Sequence, residues 1–343
     1  MAVVSIVQND SIRTAVAESV RLLGGIQSFV QPQDRVVIKP NLVFGLHPFT
    51  GFTTDPPVVQ AIIELCQDMG ASDVSIAEGS SCIDTKLAFR ACGYVELAEQ
   101  YGVKLIDLNG SPTRDVIVPE GQSVQELQVP RVILDCDALI NVPKLKLYRR
   151  TSEEKEWASL AVKNLMGALP GKGDYSHNRP SGFGRQLSQE FLRTEGKYYH
   201  SAYRQWWSPS GEKKRIHKNL AQGLVDLNMV LRPTLNIIDG IVVSGDVDMT
   251  KTVGQEPFNL STILASQDSL ALDFITVKIA GLDPFNISYL KQAAERGLGE
   301  SDYDCIQVLG TPLATIIETW KKGLKAQVHP NQRRKNESVL CND

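Results

Sequence analysis

The chain has 343 residues, a formal net charge of −3 and 42% hydrophobic residues. That length admits two or three domains, or one large α/β unit with an insertion, and the apolar content is enough for a sizeable core. No apolar run reaches the ~18–20 residues of a bilayer span, and "MAVVSIVQNDSIRTAV" lacks a cationic start before a long apolar block, so a soluble, cytoplasmic protein is expected.

The first 145 residues alternate strand and helix signals. "RVVIKPNLV" (35–43) is a β-branched run, and "PPVVQAIIELCQDMGA" (56–71) places Val59, Ile62, Ile63 and Cys66 at helical spacing before Gly70 closes the helix. "DVSIAEGSS" (73–81) reads as a strand ending in small residues, "AFRACGYVELAEQYGV" as helix broken near Gly93, "KLIDLNG" as a strand, and "VILDCDALINVPKLK" holds one more. Strands and helices at these intervals predict parallel βαβ units. The expected fold is a three-layer α/β protein with a mostly parallel sheet. In such sheets ligands collect at the carboxyl ends of the strands. Pro40–Asn41, Glu78–Gly79, Asp107–Asn109 and Pro143–Lys146 each follow a strand signal and should share that edge.

In "TSEEKEWASLAVKNLMGALPGKG", Thr151 and Glu154 form a capping-box pattern, predicting a helix from about Ser152. Trp157, Leu160, Ala161 and Leu165 make its apolar stripe, with Asn164 in the middle and Lys163 at the border. Residues 170–219 differ in material. They hold ten Lys or Arg against four Asp or Glu, and eight of the 23 aromatic residues. They read as an inserted lid or arm. The α/β pattern then resumes with "NLAQGLVDLNMVL" (helix), "PTLNIIDGIVV" and "STILAS" (strands), and "DSLALDFITVKIAG" (helix) with Asp268 as its cap and Asp273 inside it. The expected organisation is an α/β first part over 1–169, the insertion over 170–219, an α/β second part over 220–326 and a loose tail over 327–343.

The six cysteines, Cys66, Cys82, Cys92, Cys136, Cys305 and Cys341, form no CxxC pair. This argues against zinc ribbons and ferredoxin-type clusters, and Cys66 and Cys136 read as small core residues. The chain also lacks GxGxxG and GxxxxGK[ST] motifs, against nicotinamide and nucleoside-triphosphate binding.

"VVIKPNLV", "SIAEGSS", "ACGYVELAEQYGVKLIDLN", "LINVPKLK", "LAVKNLMGALPG", "IIDGIVVSGD" and "SLALDFITVKIAGLDP" occur in this order. As an ordered set over roughly residues 35–300, they resemble the domain-of-unknown-function 362 family. The resemblance implies an α/β protein. Some members carry a fused ferredoxin-like iron–sulfur module with clustered CxxCxxC ligands; this chain has none, so no cluster is carried over. The long aromatic, basic insertion is a departure from the family. The family's polar signature matches Lys39, Asn41, Lys144, Lys146, Lys163, Asn164, His177 and Asp239.

Several lysines converging on a sheet edge make a site for a carboxylate or phosphate, and a desolvated lysine beside other cations loses proton affinity. The favoured reading is a cofactor-independent, isomerase- or lyase-like enzyme acting on a small anionic metabolite by proton transfer, in a biosynthetic setting. Lys39, Lys144 and Lys146 would hold the anion, Lys163 or His177 would move the proton, Asn41 and Asn164 would orient the ligand, and Asp239 would join the binding set. Glu78 either pairs with a lysine, takes a proton or caps the next helix. Backbone N–H groups of Gly79, Ser80 and Ser81 could meet an anion. Asp239, Asp246 and Asp248, read as a loop after a strand, leave Mg²⁺ as an alternative to no metal. Two further readings stay open: a redox protein related to the iron–sulfur members, and a non-catalytic module binding anions or, through Arg204, Trp206 and Trp207, nucleic acid. No membrane partner is expected, nucleic acid is disfavoured by the acidic net charge, and a homo-oligomer is left open.

Overall fold

The computed structural model describes residues 1–42, 45–81, 83–150, 156–171, 211–244, 246–248 and 257–327. The first half runs β1 (Ala2–Gln8), α1 (Ile12–Leu22), β2 (Arg35–Lys39), α2 (Pro56–Asp68), β3 (Asp73–Glu78), α3 (Thr85–Ala91), α4 (Tyr94–Tyr101) and β4 (Lys104–Asp107). A hairpin of β5 (Thr113–Ile117) and β6 (Glu126–Pro130) follows, then α5 (Arg131–Leu134), β7 (Ala138–Asn141), β8 (Lys146–Arg150), β9 (Trp157–Ser159) and α6 (Ala161–Asn164). The second half comprises α7 (Gly211–His217), α8 (Leu220–Val230), β10 (Leu235–Val243), β11 (Asp246–Asp248), β12 (Phe258–Ser266), α9 (Ser269–Ile279), α10 (Ser288–Glu295), β13 (Ile306–Gly310) and α11 (Leu313–Gln327).

Local chemistry sets several of these boundaries. Pro56 opens α2, where its missing N–H costs nothing. Asp84 caps α3 by accepting from Lys86 N and Leu87 N, and Gly93, at φ +80°, turns the chain into α4. Asp268 caps α9 as expected, accepting from Leu270 N and Ala271 N.

Eight strands form one sheet in the order β13-β1-β12-β10-β7-β2-β3-β4. Every neighbouring pair is parallel except the two made by β12, which runs against both β1 and β10. Alternation divides the strands between two cores. Val36, Ile38, Val74, Ile76, Ile140 and Ile237 face a cluster that includes residues of α1, α2, α3 and α4. Val37, Leu139, Ile238 and Leu264 face the opposite cluster, with residues of α6, α8, α9 and α10. The fold is therefore the expected three-layer α/β arrangement on a mostly parallel sheet.

One element differs from expectation. The helix predicted from Ser152 is absent where it can be seen: 151–155 lie outside the described residues, and Trp157–Ser159 is a strand pairing antiparallel with β8, Lys146 opposite Ser159. Helix starts only at Ala161, runs to Asn164 and tightens to a 3₁₀ turn over Leu165–Ala168. The stripe Leu160, Ala161 and Leu165 is buried all the same; pairing with β8 overrides the helical spacing. Most of the aromatic, basic segment (172–210) and the tail from 328 lie outside the described residues. Cys66 is buried and Cys136 partly buried.

Candidate functional site

β2 ends at Lys39 because Pro40 has no N–H to continue the ladder. The lysine amine donates to Pro40 O at 2.9 Å and meets Glu78 Oε2, at the end of β3, at 3.0 Å. Both side chains are wholly buried. Glu78 accepts in addition from Gly79 N (2.8 Å) and Leu42 N (3.2 Å), so the carboxylate is solvated by main chain. A Cβ at Gly167 would collide with Glu78 Oε1 and Lys39 Nζ, so the 3₁₀ turn rests directly on this pair. Burial lowers the Lys39 pKa, and Glu78 opposes that shift. Glu78 is thus a lysine partner; capping of the following helix falls to Asp84.

A second pair forms beside it. Lys144 bridges β10 at Asp239, and its amine meets Asp239 Oδ2 at 2.9 Å, again with both side chains wholly buried. Asp239 also accepts from Asp55 N (2.8 Å) and Ile241 N (3.0 Å). It lies within β10 rather than on a loop, and its carboxylate is engaged by a lysine rather than open to a cation. Burial, and then the Asp239 charge, push the Asp55 carboxyl up to about 6.

Lys146, the first residue of β8, is different. Its buried amine donates to Asn41 Oδ1 at 2.6 Å and to Phe52 O at 3.2 Å, both uncharged. Its pKa is held well below the ordinary lysine value, first by burial and then by the charge of Lys163; Lys144 and Lys39 add to this and Glu78 opposes it. The cations at 39, 144 and 163 therefore all act on Lys146, at the carboxyl edge of the sheet. The anions that meet Lys39 and Lys144 come from the protein itself, whereas the Lys146 amine meets two neutral oxygens among the described residues.

Asn164 finds the partners its buried position demands. It accepts from Asn41 Nδ2 (2.7 Å) and donates to Asn141 Oδ1 (2.8 Å). The backbone anion site foreseen after β3 is largely occupied: Gly79 N donates to Gly167 O at 2.9 Å as well as to Glu78, and Ser80 N donates to Thr85 Oγ1 at 3.2 Å. His177 lies outside the described residues, as do the side chains of Asp246 and Asp248.

Four residues at or beside the site had been given no role in it. Lys213 of α7 is buried, and its amine reaches Gly79 O and Asn109 Oδ1, the latter at 3.0 Å. It sat in "GEKKRIH", indistinguishable from its charged neighbours. Asp273, wholly buried in α9, accepts from Ala161 N (2.8 Å) and Val162 N (3.0 Å), fixing the turn that carries Lys163 and Asn164. Burial outweighs those two hydrogen bonds and pushes its carboxyl up to about 8. Asn141 and Asn236 are buried polar residues inside apolar strands, and period-two alternation could have found them. At the end of α7, His217 is pushed down to about 3 by burial and then by Lys163 and Lys213, so it is neutral.

A cavity of about 1040 Å³ opens at the opposite, amino edge of the sheet, where Val3, Asn228, Thr234, Gln267 and Ser269 line it. Its lining contains none of these lysines. Among the described residues no three His, Cys, Asp or Glu side chains group as a metal site, and no helix is long and apolar enough to cross a membrane.

The family model described as "Domain of unknown function (DUF362)" matches residues 36–278. The thylakoid-associated protein sll1697 of Synechocystis sp. is 25% identical over 299 residues, 87% of this chain and 79% of that protein. Among solved structures, the lactate racemase apoprotein from Thermoanaerobacterium thermosaccharolyticum aligns with a TM-score of 0.41 and 11% identity. The alignment covers 81% of this chain, which spans 57% of that protein's length. A structural-genomics protein from Thermotoga maritima aligns with a TM-score of 0.36 and 10% identity, covering 84% of this chain and 60% of that one.

Proposed function

The chain belongs to the DUF362 family, and on that premise we propose that it is an enzyme that binds a small carboxylate- or phosphate-bearing metabolite and moves a proton beside the anionic group, with Lys146 as the acting amine. One observation carries the reading: Lys146 is buried among cations, yet among the described residues its amine is hydrogen-bonded to two neutral oxygens and to no carboxylate. A lysine so placed is readily neutral, and a neutral amine is a base. With Asn41 Oδ1 and Phe52 O each taking an N–H, the lone pair of the free amine points in the one remaining direction. When that amine takes a proton from a carbon next to a carboxylate, negative charge develops on the carboxylate. The cations at 39, 144 and 163 are already in place to stabilise it, with no reorganisation during the reaction. Glu78 and Asp239 hold Lys39 and Lys144 in place through buried ion pairs, so these two act on the anion at a distance rather than by bare contact.

The proton was expected to move through Lys163 or His177; His177 lies outside the described residues, and the neutral partners of Lys146 support that amine instead, with Lys163 the charge that most depresses it after burial. The test is a panel of small mono- and dicarboxylates and phosphate monoesters, screened by calorimetry and then by NMR in deuterated water. At least one compound should bind and exchange its adjacent C–H with solvent, and Lys146→Met should abolish that exchange. Binding without exchange would make the protein an anion-binding module. Exchange surviving in Lys146→Met would remove Lys146 from the chemistry.

A further inference from the structure

Asn141 and Asn236 lie in one row with Lys39. β10 pairs Asn236 with Asn141, and β7 pairs Asn141 with Lys39 across to β2. Alternation puts all three side chains on the sheet face that carries Leu139 and Ile238. Both asparagines are wholly buried, so each amide must find partners or cost roughly 1–3 kcal/mol.

The partners form a continuous chain whose direction is forced. Main-chain carbonyls only accept. Asn236 Nδ2 faces Ser266 O and Gln267 O, each at 3.3 Å. Its Oδ1 must then point back, where it accepts from Asn141 Nδ2 at 2.9 Å; that same amide nitrogen donates to Ala161 O at 3.0 Å. Asn141 is thereby left with its oxygen toward Asn164, which donates to it at 2.8 Å and to Lys39 O and Pro40 O at 3.4 Å each. Asn164 in turn offers its oxygen to Asn41 Nδ2 at 2.7 Å, and Asn41 offers its oxygen to Lys146 Nζ at 2.6 Å. Reversing any one amide would set two oxygens or two N–H groups against each other.

We propose that Asn141 and Asn236 are positioning residues for Lys146: through Asn164 they lock Asn41 in the orientation that presents an oxygen, not an amide N–H, to the lysine amine. The proposal rests on the reading of Lys146 as the acting amine. Main-chain carbonyls along the row, Ser266 O and Gln267 O at its far end and Ala161 O beside Asn141, thus decide what the near end offers, although neither Asn141 nor Asn236 touches Lys146. Asn141 is the stronger member, because without it the Asn164 amide nitrogen keeps only the two long bonds to Lys39 O and Pro40 O.

The experiment follows the Lys146 amine itself. Full-length protein labelled with [¹³Cε]lysine is titrated by NMR, and the Lys146 signal is assigned by its absence in Lys146→Met. Asn141→Leu should lower the proton affinity of Lys146 about tenfold or more, one pH unit, because the ammonium loses a fixed acceptor. Asn236→Leu should shift it the same way by less. Asn228→Leu is the control. Asn228 is buried and donates to Val162 O and Leu224 O outside the chain, so its loss should destabilise the fold without moving the Lys146 signal. Should Asn141→Leu fail to fold, Asn236→Leu carries the test. An unchanged Lys146 titration in the variants, or an equal shift in Asn228→Leu, overturns the positioning role. That outcome is distinct from failure of the functional reading, which would appear as an ordinary lysine titration in the unsubstituted protein.

Discussion

β2 begins and ends with a cation paired to a carboxylate at the same distance. At its amino end Arg35 Nε meets Asp137 Oδ2 at 3.0 Å, with side chains 56% and 42% exposed; at its carboxyl end Lys39 Nζ meets Glu78 Oε2 at 3.0 Å, both at 0%. The neighbouring strand repeats the contrast, with Asp73 paired to Lys104 in solvent at one end and Glu78 in the interior at the other. Equal geometry therefore says little about what a pair does. At the amino edge water solvates whatever the partner leaves. At the carboxyl edge each remaining valence needs a named protein group: Pro40 O for the amine, Leu42 N and Gly79 N for the carboxylate. Such an edge is costly to build, and its charges are held where water does not screen them.

The sharpest way to break the comparison is to remove one charge from the buried end. Lys39→Met leaves Glu78 uncompensated in the interior and should cost about 3–5 kcal/mol of unfolding free energy, read from urea denaturation. Adding Glu78→Leu to the same chain should recover part of that loss, because the orphaned charge goes with it. If the single and double variants are equally unstable, desolvated charge is not what distinguishes this edge.

Gly167→Ala asks the same question sterically. The new methyl would strike Glu78 Oε1 and Lys39 Nζ, and overpacking of this kind costs about 1–3 kcal/mol. A thermal melt checks it; no change would mean that the pair is looser than its distances indicate.

The two edges should also respond to pH with opposite sign. Asp273, buried on the site side, has its carboxyl pushed up to about 8. The folded state therefore keeps a proton that the unfolded chain releases near its ordinary value of 3.8. Its contribution is full below that value and is lost as pH rises from about 4 to about 8. Asp137, in solvent, is shifted the other way by its bonds to Arg35, so its contribution is present above 3.8 and is lost as pH falls through its lowered value. Asp273→Asn removes the titrating group but offers a single acceptor oxygen to the two N–H groups of Ala161 and Val162. It should cost about 1–3 kcal/mol for the buried N–H left without an acceptor, and flatten the decline in stability between pH 4 and 8, followed by urea midpoints across that range.

How far this edge could be read in advance depended on whether the signal was local. Period-two and helical spacing with Gly and Pro boundaries located β2, β3, β4 and β7 and the helices between them, and with them the edge carrying Lys39, Glu78, Asn141 and Lys144. β1 was passed over, since its partners are remote: Ser5 pairs with Ala265. The helix expected at Ser152 rested on a capping pattern and a stripe that were both local, and the pairing of β9 with β8 outweighed them. Which lysine carries an internal counter-ion could not be seen at all. Lys39, Lys144 and Lys146 look alike in a string of letters, and only three-dimensional placement gives Glu78 to the first, Asp239 to the second and two neutral oxygens to the third.

The smallest effect belongs to the exposed pair, and it sharpens the comparison best when salt is varied. Arg35→Ala should destabilise less than any substitution above, because water replaces the lost partner on Asp137 and the long side chain regains its freedom. Whatever difference remains at low ionic strength should vanish in about 1 M salt, where the screening length falls to about 3 Å. The penalty of Lys39→Met should persist in the same buffer, since no ion can enter between side chains that are wholly enclosed. A salt-independent Arg35→Ala, or a Lys39→Met penalty that salt relieves, would erase the distinction between the two ends of β2 and, with it, the case that the lysine edge presents an unscreened field to a ligand.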